Sequence, residues 1–200
     1  MKIITPATTE PITLALARKQ CKVDPEGSPP VHEDDELIEL FTATAREWCE
    51  SYLGTLIAPT LVEISGDEFA DEITLESGPV LSVESITYYD EDSVQQTVDP
   101  GDYELDTTEQ IAVIRLVGDA TWPTTDATND NIRVRYTIGY SVAGESPQVA
   151  PLPKSIKTAI LLLTSHLYKN RDSTVEQALA EMPMGVRFFL GPLMLRRRFA

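Results

Sequence analysis

The chain has 200 residues, 42% of them hydrophobic, and a formal net charge of −16. That composition excludes a disordered chain and supplies enough apolar side chain for a packed core. The charge is uneven: residues 151–200 hold eight Lys/Arg against three Asp/Glu, so they carry +5 and residues 1–150 carry −21.

An acidic body repels phosphate at long range, which argues against a nucleic-acid grip built from clustered Lys/Arg. No apolar run approaches the roughly 20 residues of a membrane helix, so no membrane span is expected. The opening "MKIITPATTEP" lacks an apolar signal core, so export is not expected either. Cys21 and Cys49 are distant and outside any C-x-x-C, which suits two buried thiols in a reducing compartment.

In chain order, "PITLALARKQCKVD" predicts a helix, with Thr13 as cap and Leu14, Ala17 and Cys21 at helical spacing. "PEGSPPVHEDDE" cannot continue it, because Pro25, Gly27, Pro29 and Pro30 break helices, and it reads as an acidic loop. "DDELIELFTATAREWCESYLG" carries the clearest helical pattern. Leu37, Phe41, Ala45, Trp48 and Tyr52 form one row, and Ile38, Ala45, Cys49 and Leu53 the next. Glu33, Asp34, Asp35 and Glu36 stand at its positive end as dipole-complementing carboxylates, and Gly54 supplies a left-handed cap. Trp48 is expected in the core.

From Leu56 the texture changes to short runs rich in Val, Ile, Thr and Tyr: "LIAPTLVEIS", "EITLE", "LSVESITYYD", "YELD", "IAVIRLV" and "IRVRYTIGY". In the last, Ile132, Val134, Tyr136 and Ile138 alternate with Arg133, Arg135 and Thr137. "DEDS" and "DPGD" are turn chemistry, so an antiparallel sheet or small barrel is expected. Helix returns at "PLPKSIKTAILLLTSHLYKNRD", with Ile156, Ile160, Leu163 and Leu167 as a core face and Lys169 and Arg171 in its last turn.

Neither helical part can bury its stripe alone, so the two are expected to pack on each other. The resulting fold class is α+β: a helical core from N-terminal and C-terminal helices, an inserted antiparallel β region, and an extended C-terminal tail. The boundaries read as 1–55 helical, 56–149 β, 150–182 helical and 183–200 tail. The tail, "PMGVRFFLGPLMLRRRFA", is apolar, and every charge in it is positive.

The sequence carries few patterns that could support chemistry. "GYSVAG" misses the nucleophile-elbow spacing by one residue, and Ser141 lies where a strand enters a loop. His32 falls in the Pro-rich loop as a solvated side chain, and His166 on the last long helix as a packing or partly exposed one. They form no zinc signature with a cysteine. "DEDSVQQTVDPG" starts like a calcium loop but has Val94, Gln95 and Gly101 where a ligand, a glycine and the bidentate Glu belong. No catalytic residue, metal or cofactor is therefore assigned.

The order of segments resembles the head–tail connector (head-completion adaptor) family of tailed bacteriophages and related gene-transfer particles. The matching stretches are "PITLALARKQCKVD", "DDELIELFTATAREWCESYLGTLIAPT", "GPVLSVESITYYDEDSVQQTVDPGDYELD", "IRVRYTIGYSVAGESPQVAPLPKSIKTAILLLTSHLYKNRD" and "MPMGVRFFLGPLM". The Pro25–Pro30 loop is longer than in many members.

The resemblance implies a non-enzymatic assembly protein of the virion, made in the host bacterial cytoplasm. It implies a homo-oligomeric ring, commonly a dodecamer, beneath the portal protein and above a downstream tail or stopper protein. DNA would pass through its centre without sequence-specific binding. It also implies a carboxy-terminal segment engaging the portal. A contiguous apolar patch independently marks a partner surface, and arginines suit carboxylate-bearing interfaces. The expected contact residues are Val186, Arg187, Phe188, Phe189, Leu190, Leu193, Met194, Leu195, Arg196, Arg197, Arg198 and Phe199, in a segment ordered on docking. A tail folded back over its own core is the competing arrangement. A small hydrolase with a scattered site, or a monomeric β-domain binding module, are the competing functions.

Overall fold

A computed structural model describes residues 1–75, 77–108, 111–125, 130–141, 150–171 and 184–193. The chain divides into two compact units. One combines Met1–Thr9 with Ala58–Pro151, the other Glu10–Ile57 with Leu152–Ala200.

The second unit is helical. Helix α1 (Leu14–Cys21) starts at Thr13, whose Oγ1 accepts from the Leu16 N–H at 3.4 Å, and ends on Lys22 in the left-handed region. Helix α2 (Asp35–Leu53) ends on Gly54 at φ 74°, the cap its sequence predicts. Helix α3 (Lys154–Lys169) follows Pro153 and packs against both. Ile38, Ala45, Cys49 and Leu53 of α2 are buried, as are Ile156, Ala159, Ile160 and Leu163 of α3. The two stripes therefore complete each other, as expected.

Trp48 departs from its expected place. It is half-buried and stacks on Tyr52 at 5.2 Å between ring centroids. The apolar stripe of α2 is wider than the surface that covers it, and its Leu37–Phe41–Trp48–Tyr52 flank stays part-exposed.

The acidic run before α2 does more than complement a dipole. Asp35 receives Arg18 Nε at 2.7 Å and the His32 N–H at 2.8 Å. Asp34 receives Arg171 Nη2 at 2.8 Å and the Tyr168 hydroxyl at 2.6 Å, while Arg171 lies over the Tyr168 ring at 4.2 Å. One carboxylate thus ties α1 to α2 and the other ties α2 to the end of α3.

The first unit contains two antiparallel sheets. Strands β1 (Lys2–Thr5), β2 (Thr60–Gly66), β4 (Val80–Tyr89), β5 (Gln95–Thr97) and β8 (Ile132–Ile138) form the larger, in the order β1-β2-β8-β4-β5. Strands β3 (Ile73–Leu75), β6 (Tyr103–Asp106) and β7 (Ala112–Leu116) form the smaller, in the order β3-β7-β6. The central β8 holds the register, pairing Val134 with Ile64 on one side and with Ile86 on the other. Its Ile132, Val134, Tyr136 and Ile138 are buried while Arg135 is exposed, so the predicted alternation sets the faces. β1 and β5 are additions to the sequence reading: each is short and mostly exposed and carries no apolar alternation strong enough to announce it.

Candidate partner-binding site

The carboxy-terminal element begins at helix α4 (Met184–Leu190), followed by a single 3-10 turn over Gly191–Leu193. Val186 and Leu190, one helical turn apart, are both fully buried, and α4 packs on α3 and touches α2. A Cβ at Gly185 would lie 3.9 Å from Leu162, an ordinary van der Waals contact with α3. The other face points outward. Arg187 is exposed, and Phe188 is 78% exposed, touching Phe189 edge-on at 5.8 Å. Phe189 and Leu193 are half-buried.

The structure thus sorts the predicted contact residues. Val186 and Leu190 belong to the chain's own helical core and have no surface left for a partner. The start of the element is folded back, because an i, i+4 apolar pair on a short helix finds the uncovered side of α3. Arg187, Phe188, Phe189 and Leu193 keep accessible surface. Met194, Leu195, Arg196, Arg197, Arg198 and Phe199 lie outside the described residues.

The side chains weighed for catalysis have structural partners. Ser141 is buried: its N–H donates to the Ala150 carbonyl at 2.7 Å, and its Oγ accepts from the Ala150 N–H at 3.1 Å. His32 is half-buried rather than solvated, with Nδ1 accepting from the Asp34 N–H at 3.0 Å. His166 is half-buried beside Asn170. Asp90 closes the β4–β5 hairpin, accepting from the Val94 N–H at 2.9 Å and from Gln96 Nε2 at 2.8 Å. Those bonds, that from Gln96 foremost, hold its carboxyl below the usual range. No group of three or more His, Cys, Asp or Glu arranged to hold a metal ion occurs among the described residues. Nor is any helix among them long and apolar enough to cross a membrane.

A residue the sequence reading passed over is Leu40. It lies off both apolar rows of α2 and is 60% exposed. Its only signal was a leucine on the polar face, between Glu36, Glu39 and Glu47.

An α-helical unit and an antiparallel β unit, the former with a short carboxy-terminal helix on its third helix, define the fold. Solved chains from the necks of gene transfer agent particles have that fold. In the neck of an empty particle, computed with C6 symmetry, the similar chain is 18% identical, with 96% of this chain and 93% of that one covered and a TM-score of 0.71. A chain from the virion of a native gene transfer agent particle is 18% identical over the same shares, with a TM-score of 0.69. A third, from the neck of a native particle computed with C12 symmetry, is 19% identical and covers 96% and 94%, at a TM-score of 0.63. No family model and no curated protein matches the sequence.

Proposed function

We propose that the chain is a structural adaptor in the neck of a tailed, DNA-carrying particle. Copies form a ring, commonly dodecameric, beneath the portal protein and above a tail or stopper protein, and DNA passes through the centre. The observation that carries this reading is the shared fold over 96% of the chain with neck chains from symmetric assemblies. It agrees with the order of sequence segments, which points to the same kind of protein independently of the coordinates.

The portal-facing surface in this reading is the outer side of α4, with Phe188 and Arg187 and the edges of Phe189 and Leu193. An exposed phenylalanine beside a guanidinium is the composition of an interface anchor. The acidic body suits a conduit, because weak or repulsive contact lets DNA slide. Catalysis has no support: Ser141, His32 and His166 are each bound into local structure.

The test is native mass measurement and electron microscopy of the chain mixed with portal rings. The expected product is a closed ring of copies on the portal. A chain that stays monomeric and leaves the portal bare would favour a binding module instead.

A further inference from the structure

Between the start of α1 and the outer face of α2 lies an open groove of about 490 Å³, whose lining includes Ile12, Leu14, Leu40 and Ala43 together with Glu10 and Glu39. Its volume falls within the roughly 300–1,000 Å³ of sites that hold small ligands, so it takes a few side chains rather than a helix. The groove is held open by a built support. Arg46 Nε meets Glu10 at 2.9 Å while its Nη1 meets Glu50 at 2.6 Å, which fixes the segment before α1 against α2.

The charge around it is one-sided. Arg46 is shared by Glu10, Glu47 and Glu50. Glu36 and Glu39 are exposed and make no ion pair among the described residues. Along α2, Glu36, Glu39, Leu40, Ala43 and Glu47 follow one another at helical spacing, which makes an apolar strip edged by carboxylates. Such a surface fits a short segment that is both apolar and basic.

This chain contains one. Residues 194–200 read "MLRRRFA", with Met194, Leu195 and Phe199 flanking three arginines. No other stretch of the acidic chain carries three consecutive cations. From Leu193 the seven residues reach at most roughly 25 Å when extended. We propose that residues 194–200 of one copy dock in the α1–α2 groove of the neighbouring copy. Apolar side chains cover Leu40, and Arg196–Arg198 pair with Glu36, Glu39 and Glu47.

Groove and segment are different surfaces of the same chain, so the contact is head-to-tail. Contacts of that type generate rings when the rotation closes. The inference rests on the adaptor reading and leaves the Phe188 face of α4 free for the portal.

A fluorescently labelled synthetic peptide of residues 193–200, titrated with the full-length chain, tests the groove. Binding should saturate. It should weaken by about tenfold or more with Leu40→Asp, with Glu36→Lys combined with Glu39→Lys, and with a peptide whose arginines are glutamates. The glutamate peptide should regain affinity for the lysine variant, a compensation that unfolding cannot mimic. Mixing separately purified Leu40→Cys and Phe199→Cys chains under mild oxidation should give a covalent dimer. Absence of peptide binding, or equal binding by all variants, overturns the inference. So does a disulfide that closes only within single chains of the doubly substituted protein at high dilution. If rings form on the portal while the peptide does not bind, the groove inference falls and the adaptor reading stands. If the peptide binds and no ring forms, the reverse holds.

Discussion

Gly139 sits at φ 125°, and a Cβ there would lie 2.7 Å from the Ala58 carbonyl oxygen. Both the backbone conformation and the space therefore demand glycine. Gly139→Ala should destabilise by at least about 2 kcal/mol, measured by chemical unfolding, since strain and overpacking add at this site. The cysteines show a different single-residue effect. Burial pushes the Cys49 thiol up to about 12, helped by the Glu50 carboxylate, and burial also raises Cys21. The thiolate is the reactive form, so neither should be alkylated in the native protein at neutral pH. Rapid modification without denaturant, read by mass spectrometry, would contradict the buried placement of both. Trp48 gives a milder case: half-buried on Tyr52, it should lose about 1–2 kcal/mol on Trp48→Ala, less than a core tryptophan.

At the scale of elements, the α2–α3 contact is the spine of the helical unit. Ile38 and Ile160 are fully buried in it, and Ile160→Ala should cost about 2–5 kcal/mol. The carboxylates at the head of α2 make the same contact pH-dependent. Bonds from Arg171 and Tyr168 depress Asp34, and the bond from Arg18 depresses Asp35. A depressed carboxyl stabilises the fold above its unfolded value of about 3.9 and loses that contribution as pH falls through its folded value. Acid unfolding should therefore steepen below about pH 4. Asp34→Asn with Asp35→Asn should flatten that limb while lowering stability at neutral pH. An unchanged acid limb in the double variant would remove the ion pairs from the account.

These elements also mark what the sequence could and could not reveal. The long helices, their caps at Thr13 and Gly54, and the alternation of β8 were legible, because each is a local pattern repeated over several residues. The strand at Lys2–Thr5 was not, because four mostly exposed residues acquire their conformation only by pairing with β2. Leu167, expected in the core, is half-buried because it lies near the end of α3, where cover runs out. The tail was legible as a surface of unusual composition. Its division into a buried Val186–Leu190 pair and an exposed Phe188 depends on which side of α3 remained uncovered, and no local pattern states that.

For the whole molecule, the test of the proposed adaptor role is attachment to the portal as a ring. Phe188→Ser should leave the fold intact, since the side chain is 78% exposed, and weaken portal binding by about 1–3 kcal/mol per copy. A modest loss per copy multiplies around a ring, so the attached complex should dissociate far faster than the single-copy loss suggests. Portal binding unchanged by Phe188→Ser would move the portal contact away from α4.

The chain crosses between its two units after Thr9, after Ile57 and after Pro151. The β unit is therefore not a cassette that could be lifted out at one pair of cut points. Residues 1–9 belong to it, although the first helices separate them from the rest. On a ribosome, β1 must wait for β2 to emerge more than fifty residues later before its pairing can form. A graft of residues 58–151 onto another helical core would leave β2 with a bare edge, open to pairing with foreign strands. A workable exchange between relatives has to carry the opening strand along with the insertion.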